Sequence, residues 1–319
     1  MSKKIEYPWV SFCISTFKRP DFLHQQLTSL LKQTFLYFEI IISDNDPAGS
    51  AEAVCNSMKD PRIRYFRNTE NLGMIKSFNK SIDRSTTEYI VMVTDDDPVD
   101  VDFLSFAYSI SKDNPGYGIY GGFERKNRAI GEIECIEKEN FIPEILNWNK
   151  TTRILWSSCV LKKEIAMNVG KIPDYGSPHL ADHALIALIG DRKGGVIVNK
   201  MYSSLTSHST NYSKLNFQTY LSGCQGFYTV MRLNMQKENQ REKFKTIDQH
   251  LKGWLISSIY SLKKYYSVVV ADKAKMKEIE SFERQILLLP YMKKNRGILL
   301  IKEVIFKIKL FLGFLKPVK

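Results

Sequence analysis

Cysteine is scarce in this sequence, and the cysteines that occur form no recognisable pattern. The chain has five, with no Cys-X-X-Cys pair and no cysteine–histidine spacing typical of zinc sites: Cys13, Cys55, Cys135, Cys159 and Cys224. An odd number of widely spaced cysteines argues against a disulfide framework and against a structural zinc site. We therefore expect the protein to work in a reducing compartment.

Long uninterrupted apolar runs are also missing. Residues 1–9 contain no apolar segment of the kind found in signal peptides and lead directly into a candidate core strand. Residues 297–315 are strongly apolar, but charged side chains interrupt them, so this segment is a poor membrane-spanning helix. We expect a cytoplasmic protein. Its residues 293–319 either lie peripherally at the inner face of the membrane, with lysines against anionic lipid, or pack on the protein as an amphipathic helix.

The basic charge of the chain comes without a nucleic-acid-binding motif. The formal net charge of +12 would suit nucleic acid, an anionic membrane surface or an anionic substrate. Because no recognition motif accompanies the charge, we expect no nucleic-acid partner.

Internal repeats and low-complexity linkers are absent, and the composition is that of an ordinary globular protein, with 44% hydrophobic and 25% charged residues. Runs rich in β-branched residues alternate with segments whose apolar residues recur at helical spacing. Strands are predicted at 9–16, 38–43, 63–67 and 89–94, and helices at 21–33, 50–58 and 74–83. This alternation predicts an α/β, Rossmann-like fold, with a mostly parallel sheet and helices on both faces.

The pattern becomes mixed after residue 97. We expect helices at 101–112, 163–169 and 179–190, strands at 118–123, 154–161 and 196–202, and a charged loop that runs to about residue 139. From residue 217 onward the spacing favours helices alone, at 217–237, 244–266 and 271–288. The sequence therefore predicts an α/β domain over residues 1–215, followed by a helical C-terminal extension over residues 216–319.

Three consecutive carboxylates follow the predicted strand at 89–94. Asp95, Asp96 and Asp97 would repel one another without a counter-charge, because like charges a few ångströms apart raise one another's pKa. Mg²⁺ and Mn²⁺ prefer carboxylate oxygens and commonly share their remaining positions between water and substrate phosphates. A solvated acidic loop is the alternative. The position at a strand end favours the metal site, since α/β sheets bind ligands at the carboxyl ends of their strands.

A second polar group of residues ends the predicted strand at 38–43. Asp44 and Asn45 can hydrogen-bond a nucleotide base or a ribose hydroxyl. A simple turn at Asp46-Pro47 is an equally good interpretation of the same residue types.

In order and spacing, these segments resemble glycosyltransferase family 2, whose members share the GT-A fold. The resemblance covers roughly residues 8–215. It rests on VSFCISTFKRP at 10–20, LTSLLKQT at 27–34, FEIIISDN at 38–45, NLG at 71–73 and TDDD at 94–97.

The resemblance implies a nucleotide-sugar site in residues 1–215. The residues implied to contact the donor are Thr16, Phe17, Arg19, Asp44, Asn45, Asn71, Lys76 and Asp95. The family's DxD-type motif falls on residues 94–97, with Thr94 in place of the usual first Asp. Asp96 is implied to be a ligand of Mn²⁺ or Mg²⁺, and Asp97 a supporting or second ligand.

A later segment, HLADHAL at 179–185, resembles the part of the family that ends in a Glu-Asp pair. Asp182 matches the second member of that pair and is implied to be the catalytic base, while Ala181 replaces the usual Glu. A sugar hydroxyl is a poor nucleophile, and a carboxylate within hydrogen-bonding reach can take its proton. His183 is a rival base, because its unperturbed pKa suits the task. His208 stands where many members carry a histidine near the metal or the diphosphate, although a purely structural histidine is an equal alternative.

The implied activity is transfer of a sugar, with inversion, from a UDP, GDP or dTDP donor to a hydroxyl of a glycan or lipid-linked glycan. The expected setting is the assembly of a bacterial-type surface polysaccharide or glycolipid. One alternative is a sugar nucleotidyltransferase, which is expected to carry a glycine-rich loop that residues 15–20 lack. The other is a nucleotide- or carbohydrate-binding protein without turnover, which Thr94 and Ala181 keep open.

Overall fold

The computed structural model describes residues 7–206 and 211–288 and the isolated positions 297, 301, 304 and 305. The chain divides into two units, one of residues 1–209 and 221–247, the other of residues 210–220 and 248–319. Within the described part of the chain, no helix is long and apolar enough to cross a membrane. The tail for which we predicted a membrane contact lies, apart from the four isolated positions, outside the described residues.

The strands in the described part of the chain all belong to the first unit. They are β1 (Val10–Thr16), β2 (Phe38–Asp44), β3 (Ile63–Arg67), β4 (Tyr89–Val93), β5 (Ile119–Gly122), β6 (Glu124–Arg125), β7 (Ile133–Ile136), β8 (Thr151–Arg153), β9 (Cys159–Lys162) and β10 (Gly195–Val198).

The helices up to residue 193 lie between these strands. They are α1 (Pro20–Leu30), α2 (Glu52–Ser57), α3 (Met74–Arg84), α4 (Phe103–Asp113), α5 (Lys138–Ile145), α6 (Lys163–Asn168) and α7 (Ala181–Lys193), with a 3-10 turn at Trp156–Ser158. After residue 211 the described chain has helical elements alone, which the sequence predicts from residue 217 onward. It forms α8 (Tyr212–Leu215), a 3-10 turn (Phe217–Thr219), α9 (Tyr220–Asn234), α10 (Gln240–Lys264), a π-helical turn (Tyr265–Val269) and α11 (Lys273–Leu288).

The main sheet has eight strands in the order β3-β2-β1-β4-β9-β5-β10-β7. The strands β3, β2, β1 and β4 are mutually parallel, and β10 is parallel to β5. Only β9 and β7 run against their neighbours in this sheet. The predicted mostly parallel α/β sheet is therefore confirmed.

Side chains that alternate along β1 show how helices cover both faces of the sheet. Val10, Phe12 and Ile14 belong to a buried apolar cluster that also contains residues of α1 and α4. Ser15 points the opposite way, and its hydroxyl donates to Ser77 Oγ of α3 at 2.7 Å. Because successive side chains of a strand point to opposite faces, α1 and α4 cover one face and α3 covers the other.

The region from residue 124 to 139 is more ordered than the charged loop that we predicted. It contains β6, which pairs with β8 in a separate two-stranded sheet, and β7, the edge strand of the main sheet. The buried guanidinium of Arg125 pairs with Glu144 at 2.8 Å and with Glu134 at 3.3 Å. The loop prediction was wrong because these charges are satisfied by partners distant in sequence, which local polarity cannot reveal.

Candidate active site

Three of the polar segments predicted from sequence meet at one edge of the sheet. β1 lies between β2 and β4, and Thr16, the last residue of β1, is in register with Asp44, the last residue of β2. The acidic residues 95–97 follow β4 directly. Because these strands are parallel, their carboxyl ends lie at the same edge of the sheet, the edge at which α/β sheets bind ligands in a crevice.

Asp95 is the most buried carboxylate of the acidic triplet. Its Oδ2 accepts a hydrogen bond of 2.7 Å from Thr16 Oγ1, and its Oδ1 accepts one of 2.7 Å from Arg19 Nη1. Burial raises the pKa of Asp95 to about 6, although the positive charge of Arg19 and the hydrogen bond from Thr16 oppose the rise. The two donors thus fix the position of Asp95, while burial makes its ionised form less favourable than in water.

Arg19 joins Asp95 to the next carboxylate. Its Nη2 donates to Asp96 Oδ2 at 2.6 Å, and its guanidinium carbon lies 4.3 Å from the centroid of the Phe22 ring. The exposed fractions of the side chains are 27% for Arg19 and 8% for Asp96. Two predicted site residues, one after β1 and one after β4, are therefore in direct contact.

Asp97 is positioned by two segments that are distant in sequence. Its Oδ1 accepts a hydrogen bond of 2.8 Å from the backbone N–H of Thr206, and its carbonyl oxygen accepts one of 2.7 Å from Gln26 Nε2 of α1. The contact with Thr206 brings the chain close to the triplet two residues before His208. His208 itself lies outside the described residues, so its role stays a prediction.

The acidic triplet fits a hard divalent cation by the chemistry of its oxygen ligands. Three carboxylates carry a formal charge of −3 when all are ionised, and Arg19 pairs with two of them, so the oxygen-rich, acidic segment suits Mg²⁺ or Mn²⁺. Thr94 Oγ1 is buried beside them and makes no hydrogen bond within the described part of the chain. No three potential ligands among the described residues already surround a common centre. A cation would therefore recruit donor oxygens or water to complete its coordination.

Asp44 is completely buried at the end of β2. Its Oδ1 accepts a hydrogen bond of 3.0 Å from the N–H of Asp46. Its Oδ2 accepts hydrogen bonds of 3.0 Å from the N–H of Ala51 and 2.9 Å from Tyr65 Oη. These contacts fold the loop between β2 and α2. The implied contact of Asp44 with the nucleotide base stays a prediction.

The two asparagines that the resemblance implicates are in contact. Asn45 Nδ2 donates to Asn71 Oδ1 at 2.7 Å, and Asn45 Oδ1 accepts from the backbone N–H of Leu72 at 2.9 Å. Asn45 is buried, whereas Asn71, Lys76 and Phe17 are exposed. The candidate donor-contacting residues therefore include both buried and solvent-accessible polar side chains.

The implied base, Asp182, lies in the first turn of α7, which begins two residues later than predicted. Leu180, just before the helix, has a φ of +65°, a left-handed conformation that is uncommon for a branched side chain. Asp182 Oδ2 lies 3.9 Å from His183 Nε2, and both side chains are partly exposed. Helix α7 contacts the 3-10 turn at 156–158, and that turn contacts β4. This turn therefore contacts both the helix that carries Asp182 and the strand that precedes the acidic triplet.

Sequence reasoning missed Gln26, Tyr65 and Thr206. Gln26 carried a usable signal, because it stands among apolar residues on the buried face of α1, where a polar side chain needs a partner. Tyr65 and Thr206 carried none, since their contacts depend on the folded chain.

Known proteins resemble this chain in sequence and in fold. The family model "Glycosyl transferase family 2" matches residues 11–169. The GalNAc(5)-diNAcBac-PP-undecaprenol beta-1,3-glucosyltransferase of Campylobacter jejuni is 31% identical over 115 residues, which are 34% of this chain and 36% of that protein. Glycosyltransferase GlyG of Streptococcus pneumoniae is 24% identical over 173 residues, which are 49% of this chain and 57% of that protein. The chain therefore matches roughly one third of the length of the first relative and somewhat more than half of the second.

Among solved structures, the fold resembles that of the mannosyltransferase PcManGT from Pyrobaculum calidifontis in complex with GDP-Man and Mn²⁺. The TM-score is 0.57 and the identity 14%, over 95% of this chain and 87% of that chain. At this identity the likeness concerns the fold alone. The family match spans β1, β2, β4 and the acidic triplet, and with the shared fold it makes this chain a member of glycosyltransferase family 2.

Proposed function

We propose that this protein transfers a sugar from a nucleoside-diphosphate sugar to an acceptor hydroxyl, with inversion at the anomeric carbon. The observation that carries the proposal is the set of hydrogen bonds that join Thr16 and Arg19 to Asp95 and Asp96 at the carboxyl edge of the sheet. A buried carboxylate held beside a guanidinium and two further carboxylates suits a ribose, a diphosphate and a cation in one crevice.

The donor half of the site comes from the ends of β1 and β2. Asn45 and Asn71 offer amide groups for the base, and the exposed ring of Phe17 offers a surface for it to stack on. The guanidinium of Arg19 can pair with phosphate oxygens, because its planar donors match them. Lys76, exposed in the first turn of α3, adds positive charge for the anionic donor.

Residues 96 and 97 would hold the cation, with His208 as a further candidate ligand. When bound, Mn²⁺ or Mg²⁺ stabilises the negative charge that builds up on the leaving diphosphate. We assign the neighbouring Asp95 to the ribose: each of its oxygens accepts one hydrogen bond, from Thr16 or from Arg19, and keeps a second lone pair for a ribose hydroxyl.

Asp182 is the proposed general base. Its carboxylate takes the proton of the acceptor hydroxyl as the hydroxyl oxygen attacks the anomeric carbon, and the bond from that carbon to the diphosphate oxygen breaks. A single displacement of this kind inverts the configuration. The proton ends on Asp182 and the nucleoside diphosphate leaves as the second product.

The proposed acceptor is a glycan or a lipid-linked glycan of a bacterial-type surface polysaccharide or glycolipid. One relative is described as a glucosyltransferase that acts on an undecaprenol-linked glycan, which supports this class of acceptor. A peripheral membrane contact through residues 293–319 would suit a lipid-linked acceptor and forms part of the proposal.

A thermal-shift screen tests the donor site. The full chain is heated with UDP-, GDP- and dTDP-sugars, with and without Mn²⁺, and compared with Asp96→Ala and with the control Asp113→Ala, an exposed carboxylate at the far end of α4. A ligand that binds only the folded state raises the melting temperature. We expect a metal-dependent rise with one nucleotide class in the wild-type chain and the control, and none in Asp96→Ala. No rise with any donor would refute the proposal.

A further inference from the structure

Arg19 is fixed on the carboxylates that the proposed function assigns to the ribose and the cation. Its Nη1 and Nη2 donate to Asp95 at 2.7 Å and to Asp96 at 2.6 Å, and the ring of Phe22 lies against the guanidinium. The side chain therefore occupies a defined position between two carboxylates rather than a mobile one in solvent.

This position is poorly compatible with a cation on Asp96. The exposed fractions of the side chains are 4% for Asp95 and 8% for Asp96, so water screens little of the charge. A divalent cation and the guanidinium would be like charges within a few ångströms of each other. Asp96 can bind either of them closely, but binding both at once is unfavourable because the two positive charges repel each other.

Resting on the proposed function, we propose that Arg19 is an internal counter-ion that competes with the divalent cation for Asp96 and is released by the donor. The diphosphate offers the guanidinium a second anionic partner, since arginine pairs with phosphate as readily as with carboxylate. The cation alone then binds weakly, because it must displace Arg19. The cation and the nucleotide together bind with positive coupling, because each removes an obstacle to the other.

The neighbouring Lys18 provides a matched control. It carries the same charge as Arg19 but is exposed, and its Nζ lies 5.3 Å from the centroid of the Phe17 ring. Substituting Lys18 changes the net charge near the crevice by the same amount as substituting Arg19. It leaves both salt bridges of Arg19 intact.

The test measures Mn²⁺ binding to the full chain without nucleotide, from the electron paramagnetic resonance signal of free Mn²⁺. If the salt bridge to Asp96 competes with the cation, Arg19→Gln should bind Mn²⁺ about tenfold more tightly than the wild-type chain. Lys18→Gln should stay within about twofold, as expected of a screened exposed charge. Adding Asp96→Ala to Arg19→Gln should abolish the gain, and circular dichroism verifies that each variant is folded.

The same titrations with UDP, GDP and dTDP measure the coupling. We expect the matching nucleotide to raise the Mn²⁺ affinity of the wild-type chain, and this enhancement to fall about tenfold in Arg19→Gln. Equal Mn²⁺ affinity of Arg19→Gln and wild type, or an equal gain in Lys18→Gln, overturns the competition. If no nucleotide raises the affinity of the wild-type chain for Mn²⁺, the proposed function fails, whatever the Mn²⁺ affinity of Arg19→Gln. If a nucleotide raises the Mn²⁺ affinities of the wild-type chain and of Arg19→Gln by the same factor, only the proposed role of Arg19 fails.

Discussion

Tyr65 Oη donates a hydrogen bond of 2.9 Å to Asp44 Oδ2, and this carboxylate, fully buried at the end of β2, also accepts two backbone N–H groups of the following loop. The three donors come from residues 46, 51 and 65 and surround one side chain. Asp44 therefore fixes the conformation of the loop that follows β2. This loop borders the proposed site of the nucleotide base.

We expect Asp44→Ala to be strongly destabilising, because it leaves two buried backbone N–H groups and the part-buried Tyr65 hydroxyl without their acceptor. An unsatisfied buried polar group costs about 1–3 kcal/mol, so the free energy of unfolding should fall by roughly 2–4 kcal/mol. Tyr65→Phe removes one donor of the three and should cost about 1 kcal/mol. Urea unfolding measures both values. A stable Asp44→Ala variant that has lost nucleotide binding would show instead that Asp44 chiefly contacts the base.

The stability of the protein should depend on pH through Asp95. Burial raises the pKa of Asp95 to about 6 in the folded chain, whereas an unfolded Asp titrates near 4. The folded state therefore binds the proton more tightly. The stability that this proton supplies is complete below about pH 4 and is lost as the pH rises through about 6.

Asp95→Asn removes this titration, because the amide cannot ionise. Its free energy of unfolding relative to the wild-type chain should therefore increase between pH 4.5 and 7.5, by an amount on the order of 1–3 kcal/mol. Urea unfolding in the presence of EDTA measures the difference at each pH. A difference that stays constant across this range would mean that Asp95 has an ordinary pKa in the folded chain.

We expect Gln26 of α1 to hold the backbone of the acidic triplet in position. Its Nε2 donates to the carbonyl oxygen of Asp97 at 2.7 Å, and the side chain is buried. Gln26→Ala should lower the free energy of unfolding by about 1–2 kcal/mol and weaken metal-dependent nucleotide binding, since Asp97 loses its support. Gln25→Ala is the matched control, because Gln25 is exposed on the same helix. Equal effects of the two substitutions on binding would show that Asp97 needs no such support.

The edge of the sheet that carries the candidate site could be predicted because its signals are local. A run such as residues 89–93 is apolar and β-branched, the acids follow it at once, and the parallel arrangement then brings the strand ends together. The confirmed fold class and the confirmed family rest on such runs. Their order along the chain also matches the order of the family's motifs.

The contacts inside the site could not be predicted, because they join residues far apart in sequence. The hydrogen bond from Tyr65 to Asp44 spans 21 positions, and the one from Thr206 to Asp97 spans 109. The pairing of β6 with β8 likewise places Glu124 opposite Arg153, 29 positions away. Each of these contacts requires a register or a loop path that only the folded chain defines.

The choice between Asp182 and His183 as the base can be made without knowing the acceptor. Many transferases slowly hydrolyse their donor, and water then takes the place of the acceptor hydroxyl. Asp182→Asn keeps the shape of the side chain but removes its ability to take a proton. The release of nucleoside diphosphate should therefore slow by about 10²–10⁴-fold, while the affinity for the donor stays within about twofold.

His183→Gln is the control for that experiment, because the two side chains are neighbours at the start of α7, with 3.9 Å between Asp182 Oδ2 and His183 Nε2. If Asp182 is the base, this substitution should slow the release by less than about tenfold, the size expected for a neighbour that only orients the carboxylate. The opposite ranking would assign the proton transfer to His183. Equal small losses in both variants would exclude either residue as the base, because a general base contributes at least about a hundredfold.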